Sequence, residues 1–370
     1  MRKIKVVHFV SIMNYGGIES LIMDFFRNLN RDQFQFDFIV NTNEVGDFDE
    51  EIKKLGGTIH KIQGNKNNPL KNLKSIYKIL NKEKYDVAHF HISIATSFLN
   101  VLYCKLFSKT KIVVHSHSTD SAKTRKKLIL HHLFKPVIYK LSNYRLACSS
   151  QAGEWMFNSK SYTVFKNAIE TEKFLFDKKT KNYIKNKYDF HDKLVIGHVG
   201  NFTYPKNHDF LIDIFREIQN INKNTVLFLV GEGNLKKEIE DKVKKYNLES
   251  SVVFFGSTNK VNYVINCFDY FVFPSKYEGF GKVLVEAQAN GIKCFVSDKV
   301  PKETKITELV TFYSLKNNSK YWAAEIMEAN TVNNRKKYNA SLNSSDYNVQ
   351  KQIKKLQDIY LKLTGEFENV

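Results

Sequence analysis

Tyr270-Phe271-Val272-Phe273, followed by Pro274-Ser275-Lys276-Tyr277-Glu278-Gly279-Phe280-Gly281-Lys282-Val283-Leu284-Val285-Glu286-Ala287, reads as a buried strand, a tight turn and a helix. Four apolar residues in a row give the strand no polar face, as expected inside a parallel sheet. Gly279 and Gly281 flank Phe280 at the turn, so backbone N–H groups there can approach a ligand closely. The free N–H groups and the dipole of the helix that follows suit an anion such as a diphosphate. Glu278 and Glu286 are eight residues apart, at most about 12 Å along a helix. One carboxylate can serve a sugar hydroxyl and the other a ribose diol, because each accepts two hydroxyl hydrogen bonds. The plainer alternative makes Glu278 a helix cap and Glu286 a surface residue.

Outward from this stretch the same strand–turn–helix unit recurs. In the second half, strands are expected at Leu194–Val199, Thr225–Val230, Val252–Phe255 and Cys294–Val296. Helices are expected between them at Phe210–Gln219, Leu235–Tyr246, Lys260–Cys267 and Gly281–Asn290. The first half gives strands at Ile4–Val10, Phe36–Val40, Thr58–Ile62, Val87–His91, Ile112–Val114 and Tyr144–Cys148. Helical patterns at Glu19–Leu29, Asp47–Leu55, Leu70–Asn81 and Ser97–Leu106 separate them. Repeated β-α order predicts an α/β protein with mostly parallel, doubly wound sheets. At 370 residues the chain exceeds one ordinary core, so two domains are expected. Residues 1–175 would form the first, 176–193 a Lys/Asp/Asn-rich linker, and 194–346 the second. A helical pattern over 347–363 is expected to pack back on the first domain. Ligands of such sheets bind beyond the carboxyl ends of the strands, which points to two Rossmann-like domains facing across a cleft.

Four further strand ends carry candidate chemistry. Val199-Gly200-Asn201-Phe202-Thr203-Tyr204-Pro205-Lys206 places a lysine where it can meet a phosphate as a point charge. Asn14-Tyr15-Gly16-Gly17-Ile18-Glu19-Ser20 offers a Gly-Gly turn after the first strand. His89-Phe90-His91 and His115-Ser116-His117 both end strands of the first domain. His-x-His is frequent in zinc sites. No spaced carboxylate or cysteine partner accompanies these pairs, so the sequence predicts no metal.

Composition narrows the class. The hydrophobic fraction of 42% suits globular cores, and no apolar run reaches the length of about 18 residues that a membrane span needs. Residues 1–10 read as a first buried strand and not as a targeting segment. Cys104, Cys148, Cys267 and Cys294 lack metal or redox spacing, as expected of reduced structural thiols in a cytoplasmic protein. The net charge of +19 calls for an anionic partner. Lys105–Arg145 holds ten Lys/Arg against one acidic residue, Asp120. Within it Lys123, Arg125, Lys126 and Lys127 precede Leu128, Ile129, Leu130, Leu133 and Phe134, a mixture that suits a helix lying on an anionic membrane. A solvated lysine-rich helix is the alternative. The Lys123–Arg145 region therefore suggests a peripheral place on the inner face of the membrane.

Taken together, these motifs resemble the retaining glycosyltransferases of GT-B fold, in the large family that also holds sucrose synthases and bacterial capsule and exopolysaccharide transferases. The resemblance runs from Lys3 to about Ser314, and its sharpest element is E-x7-E, here Glu278 to Glu286. It implies that Glu278 and the amides of Gly279, Phe280 and Gly281 face the donor sugar and diphosphate, while Glu286 holds the ribose. Lys206 matches the lysine that neutralises the diphosphate, and Gly17 the glycine loop near the donor. Gly231 and Glu232, within Val230-Gly231-Glu232-Gly233, match the loop near the nucleotide base. His117 best matches the active-site histidine, with His115 the alternative one pleat away. His91 and His115 fall on the acceptor side. One departure stands out. The family usually carries Arg five residues before the lysine, and here that position is Asn201, which has no guanidinium charge.

The resemblance implies glycosyl transfer, for example of a hexosyl group, from a nucleotide diphosphate sugar, here expected to be UDP-linked, with no cofactor; no Asp-x-Asp motif appears where a metal-dependent transferase would need one, so metal-independent turnover is expected. The acceptor would be a saccharide or a polyprenyl-diphosphate-linked saccharide, as in surface polysaccharide synthesis. No carboxylate stands out as a nucleophile beneath the sugar, so attack by the acceptor hydroxyl on the leaving-group face is expected. Competing readings are a catalytically weak or inactive nucleotide-sugar-binding relative, and a nucleic-acid or polyanion binder using the +19 charge. The second would leave the strand-end motifs idle, so nucleic acid is not the expected partner. A nicotinamide-dependent dehydrogenase would need G-x-G-x-x-G after the first strand, and Asn14–Ser20 lacks it.

Overall fold

The computed structural model describes residues 2–62, 69–119, 124–158 and 160–366. The chain divides into two compact units, residues 1–167 with 349–370, and residues 168–348.

The first unit is built on seven strands: β1 (Ile4–Val10), β2 (Phe34–Val40), β3 (Ile59–Lys61), β4 (Val87–Ile92), β5 (Lys111–Ser116), β6 (Tyr144–Ala147) and β7 (Thr163–Val164). They lie in the order β3-β2-β1-β4-β5-β6-β7, every pair parallel. The second unit has β8 (Leu194–Val199), β9 (Thr225–Val230), β10 (Val252–Gly256), β11 (Tyr270–Phe273), β12 (Lys293–Ser297) and β13 (Val310–Tyr313). Its order is β10-β9-β8-β11-β12-β13, again all parallel. In both sheets the strand order reverses after the first three strands, at β1/β4 and at β8/β11. The loops leaving those strands open the crevice where such sheets bind ligands.

Helices cover the sheets, so the central strands are buried on both faces and read as continuous apolar runs. Every residue of β9 and of β11 is buried. In the first unit Val7, Phe90 and Val114 pack with Val101, Ile138 and Met156 from the helices. In the second, Leu227, Leu229 and Val272 pack with Phe215, Ile218 and Trp322. The last helix, Val349–Thr364, belongs to the first unit. Its Tyr360 ring sits beside Phe34 and Phe36, and its hydroxyl is 2.7 Å from Nδ1 of His89.

Several elements differ from the sequence reading. Residues 176–193, read as a linker, contain the helix Lys178–Lys187, which lies in the second unit. It buries only Ile184, so no amphipathic stripe announces it. Asp177 caps it by accepting from the Lys179 and Thr180 amides, and Lys181 and Lys185 pair with Asp269 at 2.5 and 3.3 Å. Capping and charge hold this helix in place of a broad apolar face. The edge strands β7 and β13, of two and four residues, were too short for a periodic signal. The basic stretch forms one helix from Arg125 to Leu141; Asp120 and Lys123 lie outside the described residues. The four cysteines are buried. No described helix is long and apolar enough to cross a membrane.

Candidate active site

In the second unit three loops meet at the carboxyl ends of β8, β9 and β11. Backbone bonds stitch them together. The Gly200 amide donates to Val230 O at 2.9 Å, Phe202 N to Glu232 O at 2.9 Å, and Lys276 N to Pro205 O at 2.7 Å. The Asn207 side-chain amide donates to Pro274 O at 3.0 Å. At Gly231, with φ of 146°, a Cβ would collide with the Gly200 carbonyl, so only glycine lets the first two loops touch. Gly281 takes φ of 92° and opens the helix Lys282–Ala289.

Within this frame Lys206 Nζ donates to Glu278 Oε1 at 2.7 Å and lies 4.8 Å from the centre of the Phe273 ring. Their side chains are 20% and 12% exposed, so the pair is largely shielded from solvent without being sealed off. The N-cap position of that helix is Gly281, which has no side chain to cap it, and the Glu278 carboxylate is engaged by Lys206. Glu286 is buried, not a surface residue, and its Oε1 lies 3.5 Å from Lys282 Nζ. Lys282 is buried too and already engaged with Glu286, so it is poorly placed to replace a missing arginine at Asn201. Asn201 itself is exposed. Glu232 is exposed and pairs with Lys236 at 2.8 Å. Phe280 is buried against Tyr347, ring centres 5.8 Å apart, so only its backbone can face a ligand.

Two histidines that the sequence reading passed over support the Lys206 loop from below. His198 Nδ1 donates to Val272 O at 2.8 Å, and His208 stacks on Phe202 with ring centres 4.1 Å apart. Burial lowers their imidazoles to about 4 and about 2, which keeps both neutral near the lysine.

In the first unit the loop after β1 carries Gly16 and Gly17. Gly17 is exposed, and a Cβ there would meet nothing within 4 Å. Gly16 is tight against Glu19. Burial pushes the Glu19 carboxyl up to about 7, so it titrates near neutrality at the mouth of this loop. The sequence offered no signal for it beyond its place in the first turn of a helix.

Five histidines of the first unit, His8, His89, His91, His115 and His117, form a continuous row. Register pairs His8 with His89 and His91 with His115, so alternate residues of β1, β4 and β5 share one face. His8 Nδ1 is 3.0 Å from His91 Nε2, and His91 Nδ1 is 2.9 Å from His117 Nε2. Rings of His89 and His91 stack at 4.3 Å between centres, and those of His115 and His117 at 4.0 Å. His115 lies deep in the row at 1% exposure, while His117, at 8%, lies just past the end of β5. Burial lowers His8 and His117 to about 3 and drives His89, His91 and His115 well below the usual imidazole range. His8 escaped the sequence reading because it stands alone in its strand.

Residues 15–173 match the family described as Glycosyltransferase Family 4, and residues 180–340 match Glycosyl transferases group 1. The EpsF protein of Bacillus subtilis is 30% identical over 372 residues, spanning 96% of each chain. The chain belongs to this glycosyltransferase family. The glycosyltransferase is also 27% identical to the capsular polysaccharide biosynthesis glycosyltransferase CapH of Staphylococcus aureus, over 98% of this chain and 99% of CapH. It is 26% identical, over 80% of each chain, to the Escherichia coli UDP-Gal:alpha-D-GlcNAc-diphosphoundecaprenol alpha-1,3-galactosyltransferase. The crystal structure of Anabaena HepE in complex with UDP and glucose superposes with a TM-score of 0.75 at 14% identity, covering 96% and 99% of the two chains. That likeness concerns the fold, and the glycosyltransferase has the two Rossmann-like domains of GT-B.

Proposed function

We propose that this glycosyltransferase moves a sugar from a UDP-sugar to a lipid-linked saccharide in the assembly of a surface polysaccharide, with retention at the anomeric carbon. The observation that carries the donor assignment is the Lys206–Glu278 pair, set beside the start of the helix Lys282–Ala289. An ammonium, a helix N-terminus and a carboxylate in one pocket match a sugar diphosphate group by group. The ammonium and the amides at Gly279–Gly281 stabilise the charge that develops on the leaving diphosphate, and Glu278 accepts from sugar hydroxyls. Glu286 accepts from the ribose once a donor draws it away from Lys282. This assignment needs no metal at the diphosphate. HepE with its UDP and glucose, and the galactosyltransferase with its UDP-Gal and diphosphoundecaprenol substrate, support the choice of donor and acceptor class.

The acceptor assignment rests on the first unit. His91 and His117 stand at strand ends, and the helix Arg125–Leu141 exposes Lys126 and Lys127 beside Ile129 and Leu133, 61% and 62% exposed. Exposed Leu106 and Phe107 end the preceding helix, Phe98–Phe107. Such a face binds acidic headgroups and acyl chains together, which would hold the enzyme where a polyprenyl diphosphate is presented. CapH, a capsular enzyme by name, supports the polysaccharide context.

The test is calorimetric binding of UDP-glucose, UDP-galactose, UDP-N-acetylglucosamine and GDP-mannose, with nucleotide diphosphate release followed without added Mg2+ or Mn2+. One UDP-sugar should bind saturably, and Glu286→Ala should weaken it about 10- to 100-fold, the loss of one or two hydroxyl bonds to a charged group. Binding without release, whatever the acceptor, would favour an inactive relative, a reading that Asn201 motivates. Absence of binding by all four would sink the proposal.

A further inference from the structure

Among the described residues, two sets of three histidines have ligand nitrogens within 4.8 Å of one another: His8, His89 and His91, and His91, His115 and His117. We propose that the first set binds one transition-metal ion of the imidazole-preferring class, represented by Zn2+, through His8 Nδ1, His89 Nε2 and His91 Nε2. The site shares His91 with the acceptor side proposed above, and it does not depend on the donor assignment.

Geometry singles out the first set. Two imidazole nitrogens held about 2.0–2.1 Å from one zinc ion stand about 3.3 Å apart in tetrahedral coordination. His8 Nδ1 and His91 Nε2 are 3.0 Å apart, within a few tenths of that edge. The third ligand, His89, has its Nδ1 tied to the Tyr360 hydroxyl at 2.7 Å, which leaves Nε2 as the ligating atom. His91 Nδ1 is in turn tied to His117 at 2.9 Å. Two of the three ligands thus have their far nitrogen fixed by a hydrogen-bond partner, the outer support that metal-binding histidines regularly have.

An independent observation points to a ligand. His89 Nε2, the ligating atom, is buried without a hydrogen-bond partner, on a residue 1% exposed. A buried polar atom left unpaired costs about 1–3 kcal/mol, and such atoms are few in native proteins. An ion satisfies His89 Nε2 directly. It also replaces the His8–His91 hydrogen bond with two bonds to one centre. Burial keeps these imidazoles neutral, the state a metal needs.

The charge of the ion is the opposing effect, because the row is neutral and burial of an uncompensated ion is costly. His91 is only partly buried, at the carboxyl end of β4. That opening admits the ion and leaves water for the fourth position. Water on zinc loses a proton near pH 7 in sites of this kind, about the value in three-histidine enzymes, which halves the net charge. The sequence suggested no metal because the two His-x-His pairs lack a nearby partner. The missing ligand is His8, far upstream and adjacent only through the parallel pairing of β1 with β4.

The full chain, stripped with a chelator and desalted, is titrated with Co2+ and separately loaded with Zn2+ for metal analysis. One equivalent is expected, with the intense visible absorption of four-coordinate cobalt. Tyr360→Phe, which removes one hydroxyl, should weaken binding about 10-fold or more, and His89→Gln should abolish it. If His89→Gln misfolds by circular dichroism, zinc K-edge absorption of the wild type decides, with three imidazoles expected. No ion retained by folded wild-type protein, an undiminished equivalent in folded His89→Gln, or a zinc spectrum with fewer than three imidazoles would each overturn the assignment.

Discussion

The two units share a strand order and differ in what they place at the point where that order reverses. Beside β1 and β4 the first unit sets five stacked imidazoles, all held neutral by burial. Beside β8 and β11 the second sets an ammonium and a carboxylate 2.7 Å apart on stitched loops. One crevice is lined with groups that resist charge, the other with charge already paired. The contrast teaches that topology fixes where a ligand goes, while the few residues at the strand ends decide what kind of ligand it is.

Acid should separate the units most strongly. A histidine whose folded pKa is depressed stays neutral in the native state, while the unfolded chain takes a proton below its ordinary value near 6.5. The associated stability is intact above pH 6.5 and falls as the pH drops toward the folded values, about 3 for His8 and His117. Each excluded proton costs about 1.4 kcal/mol per pH unit, or roughly 2 kcal/mol at pH 5. Five such groups rival the roughly 5–15 kcal/mol that holds a domain together, even if each contributes half of this. The second unit carries only His198 and His208 with comparable shifts, at about 4 and about 2. Hydrogen exchange read peptide by peptide should show residues 4–147 losing protection at a higher pH than residues 194–313. Simultaneous loss would break the comparison.

A smaller effect should mark the charged crevice. Lys206→Met removes the ammonium and leaves Glu278 without its partner at 2.7 Å. Loss of one group that stabilises a developing anion costs about 100- to 1000-fold in turnover, read as nucleotide diphosphate release with circular dichroism unchanged. Turnover close to wild type would place the diphosphate elsewhere. The smallest effect is a gain. Asn201 is exposed on the same loop, so Asn201→Arg can add a guanidinium without repacking. Donor affinity should rise by up to about 10-fold, the worth of one charge-assisted bond. Unchanged affinity would mean that the loop already neutralises the diphosphate without it.

Much of this was legible in the chain. Apolar runs such as Thr225–Val230 are buried on both sides and therefore betray themselves. Glycine turns at Gly231 and Gly281 mark backbone conformations that other residues adopt with strain. Lys206 and Glu278 could be named, but their mutual bond could not, because strand pairing brings together loops some 70 residues apart. His8 was invisible for the same reason, since its neighbours are set by register and not by spacing. The helix Lys178–Lys187 was missed because a cap and two lysines hold it where an apolar stripe is usually read. Glu19 carries no pattern at all, and its raised pKa comes from burial alone among the raising causes.

The return of the helix Val349–Thr364 to the first sheet has a consequence for how the protein is made. Synthesis is vectorial, at about 5–20 residues per second in the cell. The first sheet leaves the ribosome early, yet Tyr360, the partner of His89, is translated only after the whole second unit. The nascent first sheet therefore waits without its last cover, its Phe34 and Phe36 flank open. Completion of the earliest-born unit is thereby tied to a helix translated after the whole second unit, and a chain cut short before that helix leaves unfinished the part that was made first.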